Sequence, residues 1–124
     1  MDHKINTISQ IKILNWNANG IKKQLNLLKC FLTRHSIDIA CISETHLGHS
    51  EKLKISGYRI YRTDRNANIA SGGVAIIIKH KIIHHECQPP NTMNLETVGI
   101  RIKAQDGTSV NIICAYKHRP NTID

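Results

Sequence analysis

Two near-continuous apolar runs stand near the start of the chain, Ile11–Asn17 (IKILNWN) and Ile37–Glu44 (IDIACISE), and each stops on a polar residue. Runs rich in Ile, Leu, Ala and Cys are expected of strands covered on both faces. Between them Ile21, Leu25, Leu28 and Leu32 recur at steps of four, three and four, which predicts a helix over 21–35 with one apolar face. Lys22, Lys23, Lys29 and Arg34 fall mostly off that face. Strand, turn, helix and strand over 11–44 make a βαβ unit, with parallel strands and a right-handed crossover expected.

Beyond it the pattern turns to short strands. Gly48–Gly57 is polar and predicts a loop, whereas Tyr58–Thr63 (YRIYRT) alternates and predicts a strand. Asp64–Ser71 is a polar connection, and Gly72–Lys79 (GGVAIIIK) is a β-branched strand opening on two glycines. His80–Asn94, with Pro89-Pro90, reads mostly as loop. Leu95–Ala104 and Thr108–Tyr116 are strands flanking Asp106-Gly107, a hairpin-turn signal. This order predicts an α/β class: one mixed sheet with one main covering helix. A sheet of this class buries both faces, so one helix leaves the other bare. About half of Ile13, Ile39, Cys41, Val74, Ile76, Ile78, Ile100 and Ile113 are then expected to stay uncovered. A bare apolar face of that size predicts instability or self-association.

At 124 residues the chain has room for one domain, with 1–10 as an N-terminal tail and 11–124 as the folded part. The net charge of +8 points to a polyanionic partner, most simply nucleic acid. Lys22, Lys23, Arg62 and Arg65 are the candidates for phosphate contact. The four cysteines, Cys30, Cys41, Cys87 and Cys114, lack the spacing of a zinc site. Cys41 and Cys114 lie inside apolar runs, where a thiol serves as a small hydrophobe, and a reducing compartment is the simpler inference. No apolar run is long enough to span a membrane, and the first ten residues carry no signal-peptide core. A nuclear or cytoplasmic location is the resulting expectation.

The chemistry gathers at strand ends, since ligands of open α/β sheets bind beyond the carboxyl ends of the strands. Glu44 closes its strand with no basic neighbour. It suits a hard divalent cation, which takes one or two protein carboxylates plus phosphate, or it is a solvated glutamate. Asn17 either meets a phosphate oxygen or orients Glu44, or it only supports the turn at Ala18-Asn19-Gly20. His46 is a possible acid–base group or an exposed loop residue. His80, His84 and His85 cluster with Lys79 and Lys81, as a metal site or as a solvated basic loop. Gly72-Gly73 is a weak phosphate-cradle signal and a stronger bulge or close-packing signal. Tyr116 is a phosphate donor or a core or edge aromatic.

WNANGI at 16–21, ISETHL at 42–47, SGGVAIII at 71–78 and IICAY at 112–116 occur in an order that resembles the N-terminal half of the endonuclease/exonuclease/phosphatase family. The resemblance runs over about residues 11–120 and is strongest to the apurinic-type endonuclease domain of jockey-like non-LTR retrotransposons, encoded ahead of a reverse transcriptase on the same chain. It implies the N-terminal half of a four-layer α/β/β/α sandwich and Mg²⁺-dependent nicking of DNA. It also implies roles: Asn17 at the scissile phosphate, Glu44 on the Mg²⁺, Asn19 near the metal and Tyr116 assisting at the phosphate. Lys117-His118-Arg119-Pro120 is longer than the family's usual step to proline. The family's Gly-Asp-x-Asn and Ser-Asp-His motifs are absent from these 124 residues. The expectation is a truncated endonuclease domain, inactive by itself; the alternative is a non-catalytic basic remnant that binds nucleic acid through phosphates.

Overall fold

The two apolar runs lie side by side as parallel strands, β1 (Ile13–Asn17) and β2 (Ile39–Ser43), in a register from Ile13↔Ile39 to Asn17↔Ser43. The structure, a computed structural model, describes residues 10–65, 71–89 and 95–117. Most of the expected N-terminal tail and the step from Lys117 to Pro120 lie outside the described residues. The crossover begins as a 3-10 turn at Lys22–Gln24 and continues as α1 (Leu25–Arg34), with Ile21, Leu28 and Leu32 buried. The helix ends in a reversal on Ser36, whose φ of +51° is left-handed. There Ser36 N–H donates to Thr33 O at 3.3 Å and Ile37 N–H to Leu32 O at 3.0 Å, satisfying the last carbonyls.

Two more strands, β3 (Tyr58–Thr63) and β4 (Val74–Lys79), complete a four-stranded sheet in the order β1-β2-β4-β3, with β4 antiparallel to both neighbours. The central strands β2 and β4 are buried from Ile39 to Ile42 and from Val74 to Ile78, which is why they read as continuous apolar runs. Alternate residues serve two cores. Ala40, Ile42, Ala75 and Ile77 face α1, Leu28 and Leu32, while Ile39, Cys41, Val74, Ile76 and Ile78 face the opposite way.

The expectation of a single mixed sheet with a bare face is corrected here. The remaining strands, β5 (His84–Cys87), β6 (Leu95–Lys103) and β7 (Ser109–Lys117), form a separate three-stranded antiparallel sheet, ordered β5-β6-β7. Its inner residues Val98, Ile100, Ile102 and Cys114 pack on that opposite face of the first sheet. Ile39, Val74, Ile76, Ile78 and Ile100 are 0% exposed; of the residues expected to stay bare, only Ile13 (51%) and Ile113 (44%) are open. An alternating strand declares that it has an inner face but not which sheet it joins, and the Asp106-Gly107 hairpin lets β6 and β7 fold as a unit onto the other strands. That face is therefore covered within the chain and offers no bare apolar surface for self-association. β5 also corrects the loop expected over 80–94; as an edge strand it needs backbone bonds rather than apolar side chains. The layers are α, β and β, in keeping with the α/β sandwich class.

Candidate functional site

Past Asn17 and Ser43 the adjacent strands β1 and β2 turn, and the segment Glu44–His46 is tied on both sides. Gly20 N–H donates to Glu44 O at 2.9 Å and Ile21 N–H to Thr45 O at 3.0 Å; on the other side Thr45 N–H reaches Gly73 O at 3.2 Å and His46 N–H reaches Gly72 O at 2.8 Å. Within this frame Glu44 and His46 hold left-handed φ angles of +55° and +56°. For non-glycine residues that conformation costs roughly 1–2 kcal/mol each, and such strain concentrates at functional sites. It also has a geometric result. The strand ends at Ser43, and continued alternation would turn Glu44 toward α1 with Ala40 and Ile42. The left-handed step presents it to the second sheet instead, where Tyr116 of β7 meets it.

Tyr116 Oη–H donates to Glu44 Oε2 at 2.6 Å, and His46 Nε2 lies 3.8 Å from Oε1. Asn17 Oδ1 accepts Asn19 N–H at 3.1 Å, and the Asn17 amide lies close enough to favour the charged form of the Glu44 carboxyl. The Tyr116 bond, then the Asn17 amide, and more weakly the Arg65 charge hold the Glu44 carboxyl below its ordinary range. The same bond to Glu44 pushes the Tyr116 phenol up. Asn17, Glu44, His46 and Tyr116 are thus brought to one point, and Asn19 forms the turn beside them with its own left-handed φ of +46°. Glu44 keeps Oε1 free of Tyr116, and its side chain is 24% exposed. One accessible carboxylate beside amide groups has the donor chemistry of a hard cation that retains several waters, such as Mg²⁺. Among the described residues there is no group of three or more His, Cys, Asp or Glu placed to hold a metal.

This geometry sets a pH dependence. A carboxyl held below its ordinary value of about 4.3 contributes stability that is present above that value and lost as pH falls through the lowered one. A phenol raised above its ordinary value of about 10 contributes stability that is present below that value and lost as pH rises through the raised one. Both contributions coexist from about pH 5 to about pH 9. Tyr116→Phe is expected to cost about 1–2 kcal/mol at neutral pH and to flatten both limbs. Urea midpoints measured across this range would show it. A variant as stable as the parent at neutral pH, with the same acid limb, would deny the bond its role.

The other candidates divide. Arg62 donates to Asp64 Oδ2 at 2.9 Å and to Gly48 O at 2.9 Å, and Lys22 Nζ pairs with Glu51 at 2.9 Å. Arg65 pairs with Glu96. Lys23 and His46 flank Gly20: a Cβ placed there would lie 3.4 Å from Lys23 Cε and 3.5 Å from His46 Nδ1. In the histidine cluster, His84 bonds Tyr61 Oη at 2.9 Å and Ile82 O at 2.6 Å, a structural arrangement. Sequence reasoning missed Glu96 and Thr45. Glu96 had a signal: it shares the inward alternation of Val98, Ile100 and Ile102, where a carboxylate must find partners. Thr45, fully buried beneath Gly73, had none.

Residues 14–123 match the Endonuclease/Exonuclease/phosphatase family. The chain is 37% identical over 87 residues to a probable RNA-directed DNA polymerase from transposon X-element of Drosophila melanogaster, covering 69% of this chain and 10% of that protein. It is 29% identical over 106 residues to the RNA-directed DNA polymerase from mobile element jockey of the same species, covering 86% of this chain and 12% of that protein. The chain therefore spans about a tenth of the length of these curated relatives. Among solved structures, the Xenopus laevis APE2 catalytic domain superposes with a TM-score of 0.64 at 20% identity, covering 90% of this chain and 46% of that one. The 3'-5' exonuclease NExo from Neisseria meningitidis gives 0.56 at 20% identity, covering 83% and 40%.

Proposed function

The chain belongs to the endonuclease/exonuclease/phosphatase family, and from that premise we propose that it carries the metal- and phosphate-handling half of a DNA-nicking phosphodiesterase of retrotransposon type. The observation that carries this reading is the convergence of Asn17 and Glu44, at two adjacent strand ends, with Tyr116 from the second sheet, bought with left-handed backbone at Glu44 and His46. Glu44 would hold Mg²⁺ through its accessible carboxylate. When bound, the cation supplies Lewis-acid stabilisation of a phosphoryl oxygen. Tyr116 orients Glu44 through its one O–H, which would turn to a phosphate oxygen only by leaving Glu44, while the Asn17 amide keeps an N–H to donate to a phosphate oxygen as charge develops on it. Lys23, beside Gly20, adds positive potential at the same edge. In the parent protein a reverse transcriptase domain on the same chain is the expected neighbour, since the relatives are RNA-directed DNA polymerases of mobile elements.

The nucleophile's base is not among these groups, because both family motifs that would supply it and the second phosphate contact are missing from the 124 residues. Losing general-base help alone costs typically about 10²–10⁴-fold. The 124-residue polypeptide with supercoiled plasmid and Mg²⁺ is therefore expected to nick no faster than a Glu44→Ala control, while its Mg²⁺ binding, read by amide chemical shifts, is lost in Glu44→Gln. Nicking by the parent that Glu44→Ala abolishes would overturn the inactivity and keep the nuclease reading. Mg²⁺ binding indifferent to Glu44→Gln would overturn the site. The alternative, a basic remnant that only binds phosphates, requires salt-dependent DNA binding with no Glu44-dependent metal binding.

A further inference from the structure

Glu96 has no part in the site as described so far, yet it lies at its base. It faces inward from β6 opposite Tyr116 in the β6–β7 register. Both of its oxygens are engaged: Oε1 accepts Gly73 N–H at 2.8 Å, and Oε2 accepts from Arg65 Nε. The Arg65 and Glu96 side chains are only 20% and 14% exposed, so the pair is largely shielded from water. The Arg65 guanidinium lies across Gly72, where a Cβ would fall 2.3 Å from Cζ. Gly72 and Gly73 in turn supply the carbonyls that receive His46 N–H and Thr45 N–H. A chain of contacts thus runs from Glu96, through Arg65 and the two glycines, to the strained segment that carries Glu44.

Arg65 is also a rival for Glu44. Its positive charge already acts on both Glu44 and Tyr116. A guanidinium released near an accessible carboxylate pairs with it readily, in the position a cation would otherwise occupy. We propose that Glu96 is a positioning residue that sequesters Arg65 and fixes the Gly72–Gly73 turn, so that Glu44 stays open to a divalent cation. This rests on the reading of Glu44 as the cation ligand.

The experiment titrates the isotope-labelled 124-residue chain with Mg²⁺, and with Mn²⁺ as a line-broadening probe, in the parent and in Glu96→Gln, Arg65→Gln, the double variant and Glu44→Gln. Glu96→Gln is expected to weaken metal binding by about 10–100-fold, the range for groups that support a metal ligand. The double variant is expected to recover most of that loss, because the competing guanidinium is gone, and Arg65→Gln alone is expected to bind at least as tightly as the parent. Faster amide exchange at Gly73 and His46 should accompany Glu96→Gln. Parent-like affinity in Glu96→Gln, or no recovery in the double variant, would overturn the proposal. Should Glu96→Gln fail to fold, weakened binding in Arg65→Gln would overturn it equally. If Glu44→Gln binds metal like the parent, the site reading falls and this inference falls with it; if only Glu44→Gln loses binding, the inference alone falls.

Discussion

Replacing Ile100 by alanine is expected to destabilise the chain by about 3–4 kcal/mol, the middle of the range for truncating a buried isoleucine. Ile100 is fully buried on the inner face of the second sheet, among Ile39, Val74, Ile76 and Ile78 of the first. Neither neighbouring layer can collapse into the space, because each is pinned by its own ladder of hydrogen bonds. Ile113→Ala is the matched control. Ile113 lies on β7 opposite Gly99, is 44% exposed, and should cost about 1 kcal/mol or less. Urea denaturation of both variants, with unchanged slope, would read the difference. Equal small effects would mean that β6 does not close this core, and the bare-face expectation would return.

The Gly73→Ala variant is expected to lose roughly 3 kcal/mol and to disturb the site as well. Its cost has two parts. Gly73 has a φ of +91°, which a Cβ tolerates poorly, at about 1–2 kcal/mol. The added Cβ would also fall 2.3 Å from Oγ1 of the fully buried Thr45, and overpacking of this kind costs about 1–3 kcal/mol. Thr45 sits between Glu44 and His46, so any retreat by its side chain shifts both. Gly57→Ala separates the two parts: its φ is +86°, but nothing lies within 4 Å of the added Cβ, so only the backbone cost should remain. Thermal melts of the two variants, with the Glu44 and His46 amide shifts, would settle the comparison. Equal losses at Gly73 and Gly57 would show that contact with Thr45 carries no weight.

The local elements were legible because their causes are local. β3 was read to the residue, since YRIYRT alternates between two flanking turns. The helix over 21–35 follows from its apolar spacing, and the Asp106-Gly107 hairpin from turn chemistry. The exceptions have physical sources. β5 carries two histidines and a glutamate, a composition that marks no strand; it exists because the β6 edge offers it backbone partners. Glu44 was read as the last residue of a strand, whereas Gly20 on one side and Gly72 and Gly73 on the other hold its segment out of strand conformation.

By itself the sequence determined the family, the parallel β1–β2 unit with its covering helix, and the identity of Asn17, Glu44 and Tyr116 as residues worth watching. Motif order and hydrophobic period are properties of short segments, and they survive without knowledge of the whole. Tertiary structure alone decided that the last three strands leave the first sheet and cover it, because sheet membership depends on which edge and which apolar face are free when the hairpin arrives. It alone decided that Tyr116 reaches Glu44, 72 positions away in the chain, with its hydroxyl 2.6 Å from the carboxylate. It alone placed Glu96 under that pair with Arg65 in its grip, since a long-range contact between two charges leaves no periodic trace in the segments that carry them.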